Sequence, residues 1–304
     1  MGATARPRFR FRRVLFLLLG IYALLALAVF IWSDKLVFYP NIGRSTDWSL
    51  PSNAEEVWLE SAGEPKLHAW FMQSPGADLT VLYCHGNGGD LAGLKPMYDQ
   101  LRAHKVNVFA FDYRGYGKSG GSPSEAGIYR DGLAAYDWLV ANGGVRPQQI
   151  VVLGHSLGTT VATYVAAKRP CRGLILESPL ASARAMASKI IPFPPLGWAS
   201  RLRLDNEGRV KSIRCPILIV HGTSDTVIPI EHGRRVFEAA NEPKKLVEVP
   251  GGGHNDLWSR GSSAYEQALA EFLRRLRHNS ASRGGVGGEQ EANSASEQQP
   301  ARAR

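Results

Sequence analysis

Ile150-Val151-Val152-Leu153-Gly154-His155-Ser156-Leu157-Gly158-Thr159-Thr160-Val161 is the stretch on which the fold turns. Ile150 to Leu153 is a short β-branched run and reads as a buried strand. Thr159 to Lys168 places Val161, Tyr164 and Val165 on one face of a helix. Between them lies Gly154-His155-Ser156-Leu157-Gly158, a G-x-S-x-G, so the order is strand, tight turn, helix. The glycines answer a steric need. On so sharp a turn, a Cβ two positions from the serine would collide with the crossing strand or helix. The turn exposes the serine Oγ at the carboxyl end of the strand and leaves backbone N–H groups free at the helix start. In a chain with 32 glycines a bare G-x-S-x-G is weak by itself. Its meaning depends on which partners follow it.

Further runs read as strands: 57–60 and 67–73 as a hairpin around Ala62-Gly63-Glu64-Pro65, then 79–84, 106–111, 173–177, 216–220 and 245–249. Helical segments are expected over 90–104, 124–141 and 265–277, the last with Tyr265, Leu269, Phe272 and Leu276 on one face. Strands alternating with helices predict an α/β architecture, a mostly parallel sheet covered on both sides. Sites in such sheets form at the carboxyl ends of the strands. The polar residues there are His85 and Asn87, Asp112 and Arg114, Ser156, Glu177 and Ser178, Asp225, and His254.

Three of these supply complementary chemistry. A serine hydroxyl is a poor nucleophile until a base takes its proton, which His254 would do before protonating the leaving group. Asp225 would hold the imidazole in one tautomer and stabilise its cation. The backbone N–H of Leu157, just after the nucleophile, suits a developing oxyanion, and Asn87 in the loop after Cys84 is the expected second donor. Each has a plainer reading beside it. His254 could be a surface turn residue among glycines, and Asp225 a helix cap near Pro229. Asp256 is a rival acid, but it sits two residues from the proposed base. Asp112, His85 and His155 read as structural, and His68, His104, His221, His232 and His278 have no constellation around them. Gly115-Tyr116-Gly117-Lys118-Ser119-Gly120 matches G-x-G-x-x-G, yet Gly121-Ser122-Pro123 separates it from the next helix, which speaks against a dinucleotide site.

Val14 to Trp32 is an uncharged run long enough to cross a hydrocarbon core, with Trp32 as an interfacial anchor. Ala26-Leu27-Ala28 could pass for a signal-peptide cleavage site, but the run outlasts a usual signal core, and an uncleaved anchor is expected. Residues 1–13 carry five arginines and no acid, so they form a basic tail that stays cytoplasmic. Residues beyond 33 then face the outside, the periplasm in a bacterium. The net charge of +9 is concentrated in that tail, and no basic stripe with interleaved aromatics follows, which argues against nucleic acid as a partner. Cys84, Cys171 and Cys215 are too scattered for a disulfide framework or a zinc site and read as buried structural thiols. The folded domain is expected over 33–278. From 279 to 304 the chain is Ser, Gly, Ala, Glu, Gln and Arg with little to bury, and it reads as a disordered tail.

Taken together, His85-Gly86-Asn87-Gly88-Gly89, Asp112 to Ser119, Gly154 to Gly158, His221 to Asp225 and Gly253-His254-Asn255 resemble the α/β-hydrolase superfamily. The order Ser, Asp, His is that of its triad, unlike chymotrypsin-like or subtilisin-like enzymes. The branch most similar is that of Bem46-like and serine-aminopeptidase-like hydrolases, many with an N-terminal membrane anchor. The resemblance covers about residues 33–277. It implies an α/β-hydrolase fold, a triad of Ser156, Asp225 and His254, and oxyanion donors at Asn87 and Leu157. It places a short cap at about 178–213, with Pro192 to Pro195 and Trp198 as apolar wall. It leaves the substrate open. The expected activity is hydrolysis of a carboxylic ester or thioester, with a small-molecule or lipid acyl substrate and the membrane as partner through 14–32. An amide or peptide hydrolase on the same triad is the alternative, in which Glu177 would meet a free amino terminus. A non-catalytic binding module is remote, since it would gain nothing from a strained elbow with an intact triad. No cofactor or metal is implied.

Overall fold

The computed structural model describes residues 7–40, 43, 45–190, 196–260 and 262–284. Eight strands form one sheet: β1 Ala54–Leu59, β2 Leu67–Met72, β3 Thr80–Cys84, β4 Asn107–Phe111, β5 Ile150–His155, β6 Gly173–Glu177, β7 Ile217–Gly222 and β8 Lys244–Val249. Their spatial order is β1-β2-β4-β3-β5-β6-β7-β8. The expected hairpin pairs Ala54 with Met72 through Leu59 with Leu67, antiparallel. β2 meets β4 antiparallel, and every pair from β4 to β8 is parallel.

The helices are α1 Pro7–Val37, α2 Lys95–Ala103, α3 Glu125–Ala141, α4 Gly158–Lys168, α5 Ala183–Ile190, α6 Asn206–Val210, α7 Ile230–Ala239, α8 Leu257–Arg260 and α9 Ser262–Gly284. Alternation along each strand sends side chains to two cores. Leu82, Val152, Leu174 and Ile219 meet α3, α4 and α7 through Ile128, Leu139, Val161, Val165 and Val236. Val81, Val151, Ile175 and Leu218 meet α2 and α9 through Tyr98, Leu101, Leu269 and Leu273. Helices on both faces explain why the central strands are apolar along their length rather than alternating. Ser124 caps α3 by accepting the Gly127 N–H, where the sequence placed the helix start.

The structure differs from four expectations, in one of them only at Trp198. The expected cap at 178–213, for which no helix was expected, holds α5, a 3-10 turn at Leu196–Ala199 and α6; pieces this short never complete the repeat that periodicity detects. Residues 192–195, expected as apolar wall, lie outside the described residues, and Trp198 is exposed with the Arg184 guanidinium stacked on it. α9 runs to Gly284, past the expected start of the tail at 279, and the rest of that tail (285–304) lies outside the described residues. The cysteines also differ from one another. Cys84 is buried, whereas Cys171 and Cys215 are half-buried and their Sγ atoms lie 3.4 Å apart.

α1 contains the whole apolar run, and the most apolar 18-residue window within Phe11 to Val37 has a mean hydropathy of 3.0. That is long and apolar enough to cross a membrane, by length and composition. Its end is seated on the domain. Ser33 is buried and accepts from the Arg201 N–H at 3.3 Å, Asp34 pairs with Arg201, and Phe38 belongs to the α3–α4 core.

Candidate active site

The elbow is built as the glycines foretold. Ser156 has φ +53°, in the left-handed region that L residues rarely adopt. A Cβ at Gly154 would lie 2.4 Å from Gly158 O, and one at Gly158 would lie 2.0 Å from Cys84 O. No side chain fits between β5, α4 and the end of β3. The turn is fastened by Ser156 N–H to Glu177 O at 2.9 Å and by the Thr159 hydroxyl to Ser156 O at 2.6 Å.

Ser156, Asp225 and His254 come from the ends of β5, β7 and β8 and meet. Ser156 Oγ lies 2.8 Å from His254 Nε2, and His254 Nδ1 lies 2.8 Å from Asp225 Oδ2. With Nδ1 donating to the carboxylate, Nε2 is left to accept the serine proton. Asp225 also accepts the Val227 and Ile228 N–H groups through Oδ1, at 2.9 and 2.8 Å. The helix-cap reading of Asp225 does not hold, because α7 begins at Ile230 behind Pro229 and takes no side-chain cap; the Asp225 bonds instead close an Asx turn before it and fix the carboxylate beside His254. Burial by itself would raise its carboxyl. Hydrogen bonds from His221, His254 and the Ile228 N–H outweigh that and hold it well below the usual carboxylate range.

Two histidines support this chain. His221, read from sequence as having no constellation, is fully buried. Its Nε2 lies 2.7 Å from Ile228 O and 3.4 Å from Asp225 Oδ2. Its position four residues before Asp225, across a turn, was the signal available for this. His155 Nε2 bonds to His254 O at 3.1 Å and so tethers the loop that carries His254. Burial, then the neighbouring His254, push His155 down to about 4, so it is neutral at pH 7. Asp256 accepts the Gly253 N–H at 2.5 Å, shaping that loop rather than competing as the acid. Among the other histidines, His68 meets Glu56 at 2.8 Å, His104 meets Glu266 at 2.8 Å and His232 accepts the Ala181 N–H at 3.1 Å, so these also have partners.

The loop after β3 lies beside the elbow: a Cβ at Gly86 would be 3.5 Å from the Ser156 Cβ. His85 braces that loop through Nδ1 to Gly86 O at 2.7 Å, and Tyr113 OH donates to His85 O at 2.8 Å. The side chain of Asn87 is committed elsewhere. Its Nδ2 donates to Val37 O at 2.5 Å, while its Oδ1 accepts from Tyr39 N–H at 3.2 Å and from Tyr116 OH at 2.7 Å. An oxyanion role for Asn87 therefore falls to its backbone N–H. The same bonds join this loop to the end of α1.

Glu177, expected to face a substrate amino group, does not. It is fully buried against α9, where Tyr265 OH donates to it, and burial raises its carboxyl to about 7 against that hydrogen bond. Gly115 to Gly120 closes on itself, with Gly115 N–H donating to Gly120 O at 2.9 Å and the Ser119 hydroxyl to Asp112 O at 2.7 Å. A surface cleft lined by Pro216, Lys244, Phe272 and Leu276 lies at the opposite ends of β7 and β8 and shares no residue with the site.

Comparison with known proteins bears on family and fold. Residues 75–203 match the family model described as serine aminopeptidase, S33, and residues 197–283 match that of TAP-like proteins. The uncharacterized protein Rv2307c of Mycobacterium tuberculosis is 37% identical over 265 residues, covering 84% of this chain and 93% of that one. Human alpha/beta hydrolase domain-containing protein 17B is 36% identical over 240 residues, covering 77% and 81%. Among solved structures, the Pyrococcus furiosus esterase Pf2001 superposes with a TM-score of 0.65 at 22% identity, over 77% of this chain and 98% of that one. At that identity the likeness speaks for the fold alone.

Proposed function

This chain belongs to the α/β-hydrolase family, and from that premise we propose that it is a membrane-anchored serine hydrolase that cleaves a carboxylic ester or thioester through an acyl-enzyme. The observation that carries the reading is the hydrogen-bonded chain Ser156–His254–Asp225, with 2.8 Å at each link. In the first step His254 Nε2 takes the Oγ proton as Oγ attacks the carbonyl carbon, and Asp225 stabilises the imidazolium. The tetrahedral oxyanion is met by the N–H groups of Leu157 and Asn87. Collapse passes the His254 proton to the leaving alcohol or thiol and leaves Ser156 acylated. Water, deprotonated by the same imidazole, then releases the acid and restores the serine.

The anchor half of the reading rests on α1. Its apolar span, the arginines before it and the seating of Ser33, Asp34 and Phe38 together support an uncleaved helix with the domain on the outer side. Its end bonds to Asn87, beside the serine. That proximity favours an acyl substrate taken from the bilayer. For an amide or peptide substrate, the burial of Glu177 removes the acid expected to hold a free amino terminus.

Fluorophosphonate labelling of the membrane fraction tests the proposal, wild type beside Ser156→Ala. The expected outcome is labelling of wild type alone, in the membrane pellet. A folded wild type that takes no label sinks the hydrolase reading. Label recovered wholly in the soluble fraction sinks the anchor. Matched ester, thioester and amide substrates then rank the leaving groups.

A further inference from the structure

Cys171 and Cys215 stand immediately before two neighbouring strands. β6 and β7 are parallel, with Leu174 opposite Ile217. Leu174 N–H donates to Pro216 O at 2.9 Å and Arg172 N–H to Ile150 O at 2.7 Å, so the sheet ladder holds the backbone next to both thiols. The two Sγ atoms are 3.4 Å apart. A disulfide needs about 2.05 Å between them, so the two sulfurs stand only about 1.4 Å further apart than in the bond. Both side chains are half-buried, which gives a small oxidant access, whereas Cys84 is fully buried. The chain between the two cysteines is β6 followed by the whole cap segment, with α5 and α6.

We propose that Cys171 and Cys215 are a disulfide-forming pair that closes the cap segment into a covalent loop at its foot. The oxidant is a disulfide, carried by a thiol–disulfide exchange protein or a small thiol. The first of the two thiolates to form attacks one oxidant sulfur, giving a mixed disulfide and releasing one oxidant thiol. The second cysteine, as thiolate, attacks its neighbour's sulfur and releases the other oxidant thiol. One Sγ–Sγ bond forms, the oxidant's disulfide is reduced to two thiols, and the two cysteine protons end on them. Residues beyond 33 face an oxidising compartment on the topology proposed above, but the chemistry of the pair does not depend on it. The cross-link lies at the start of β6 and β7, and Ser156 lies at the other end of the sheet. It therefore restricts the unfolded chain and leaves catalysis alone.

The test uses full-length protein purified in detergent and fully reduced. It is equilibrated with glutathione disulfide, and its intact mass and melting temperature are read. Wild type is expected to lose two hydrogens, gain no glutathione and yield a cross-linked 171–215 peptide. Cys171→Ser and Cys215→Ser each take up one glutathione on the remaining partner. Oxidised wild type should melt about 10 °C above reduced wild type, as closure of a loop this long implies. Stable glutathione adducts at 171 or 215 in wild type, or three thiols retained, would overturn the pair. An oxidised form that melts no higher than the reduced form would overturn the stapling of the cap. The wild-type redox comparison needs no variant to fold.

Discussion

At the residue scale, the site rests on how few alternatives each side chain has. Asp225 holds four interactions, two to backbone N–H groups and two to histidines, so it cannot turn away from His254. Asp225→Asn should keep the fold and its two backbone bonds while presenting the imidazole with the wrong partner. Its kcat on an activated ester should fall on the order of 10⁴-fold with KM little changed. Glu177 makes a prediction of a different kind. Its carboxyl is raised to about 7 from an ordinary 4.5. The folded state thus binds a proton that the unfolded chain has already lost. Stability from this group is complete below about pH 4.5 and is lost as pH rises to about 7. Denaturant titrations of wild type against Glu177→Gln should show the gap widening in favour of the variant over that window, on the order of 3 kcal/mol in all. Sequence could name Ser156, Asp225 and His254 because each follows a strand. It could not give the partners of Glu177, because which sheet face a terminal strand residue points to depends on where the strand ends.

At the scale of elements, the elbow and the cap differ in how much the sequence says. The elbow is legible because its constraint is local: a strand, two glycines and a helix leave one way to turn. Gly158→Ala forces a methyl onto the end of β3, at 2.0 Å from Cys84 O, and backbone at the sheet centre cannot retreat. The variant should lose about 3 kcal/mol of stability in chemical denaturation and take no fluorophosphonate label. The cap is held by contacts that no spacing announces. Asn206, fully buried on α6, donates to the Thr159 hydroxyl at 2.8 Å and to Leu180 O at 2.8 Å, and it accepts from the Thr163 hydroxyl at 2.6 Å. These bonds join α6 to α4, directly behind the nucleophile. A polar side chain becomes such a joint only through its neighbours in space, so the sequence offered a place for the cap and not what holds it.

At the scale of the molecule, the alternation of strands and helices was enough to predict the sheet and its two covering layers, because the period of each element survives burial. The seating of α1 on the domain was not, since residues 33–39 show no pattern and act through single contacts. With α1 in a bilayer and the acyl substrate proposed above, the site is confined near its substrate. Full-length protein and a variant lacking residues 1–32 should hydrolyse a short water-soluble ester at similar rates. On a long-chain ester held in vesicles the full-length protein should be at least about 100-fold faster at low enzyme concentration. Equal rates on vesicles would show that the helix plays no part in reaching the substrate.

The spread of the three central residues along the chain has a temporal consequence. Ser156 and His254 are 98 residues apart, and His254 follows β8, the edge strand at the far side of the sheet from β1. Long-range pairings of this kind form late, once the loops between them have closed. A chain whose last strand has not docked therefore carries Ser156 without His254 beside it. On the mechanism proposed above, the molecule is chemically silent until its last strand docks. Acquisition of the fluorophosphonate label is then a clock for completion of the fold.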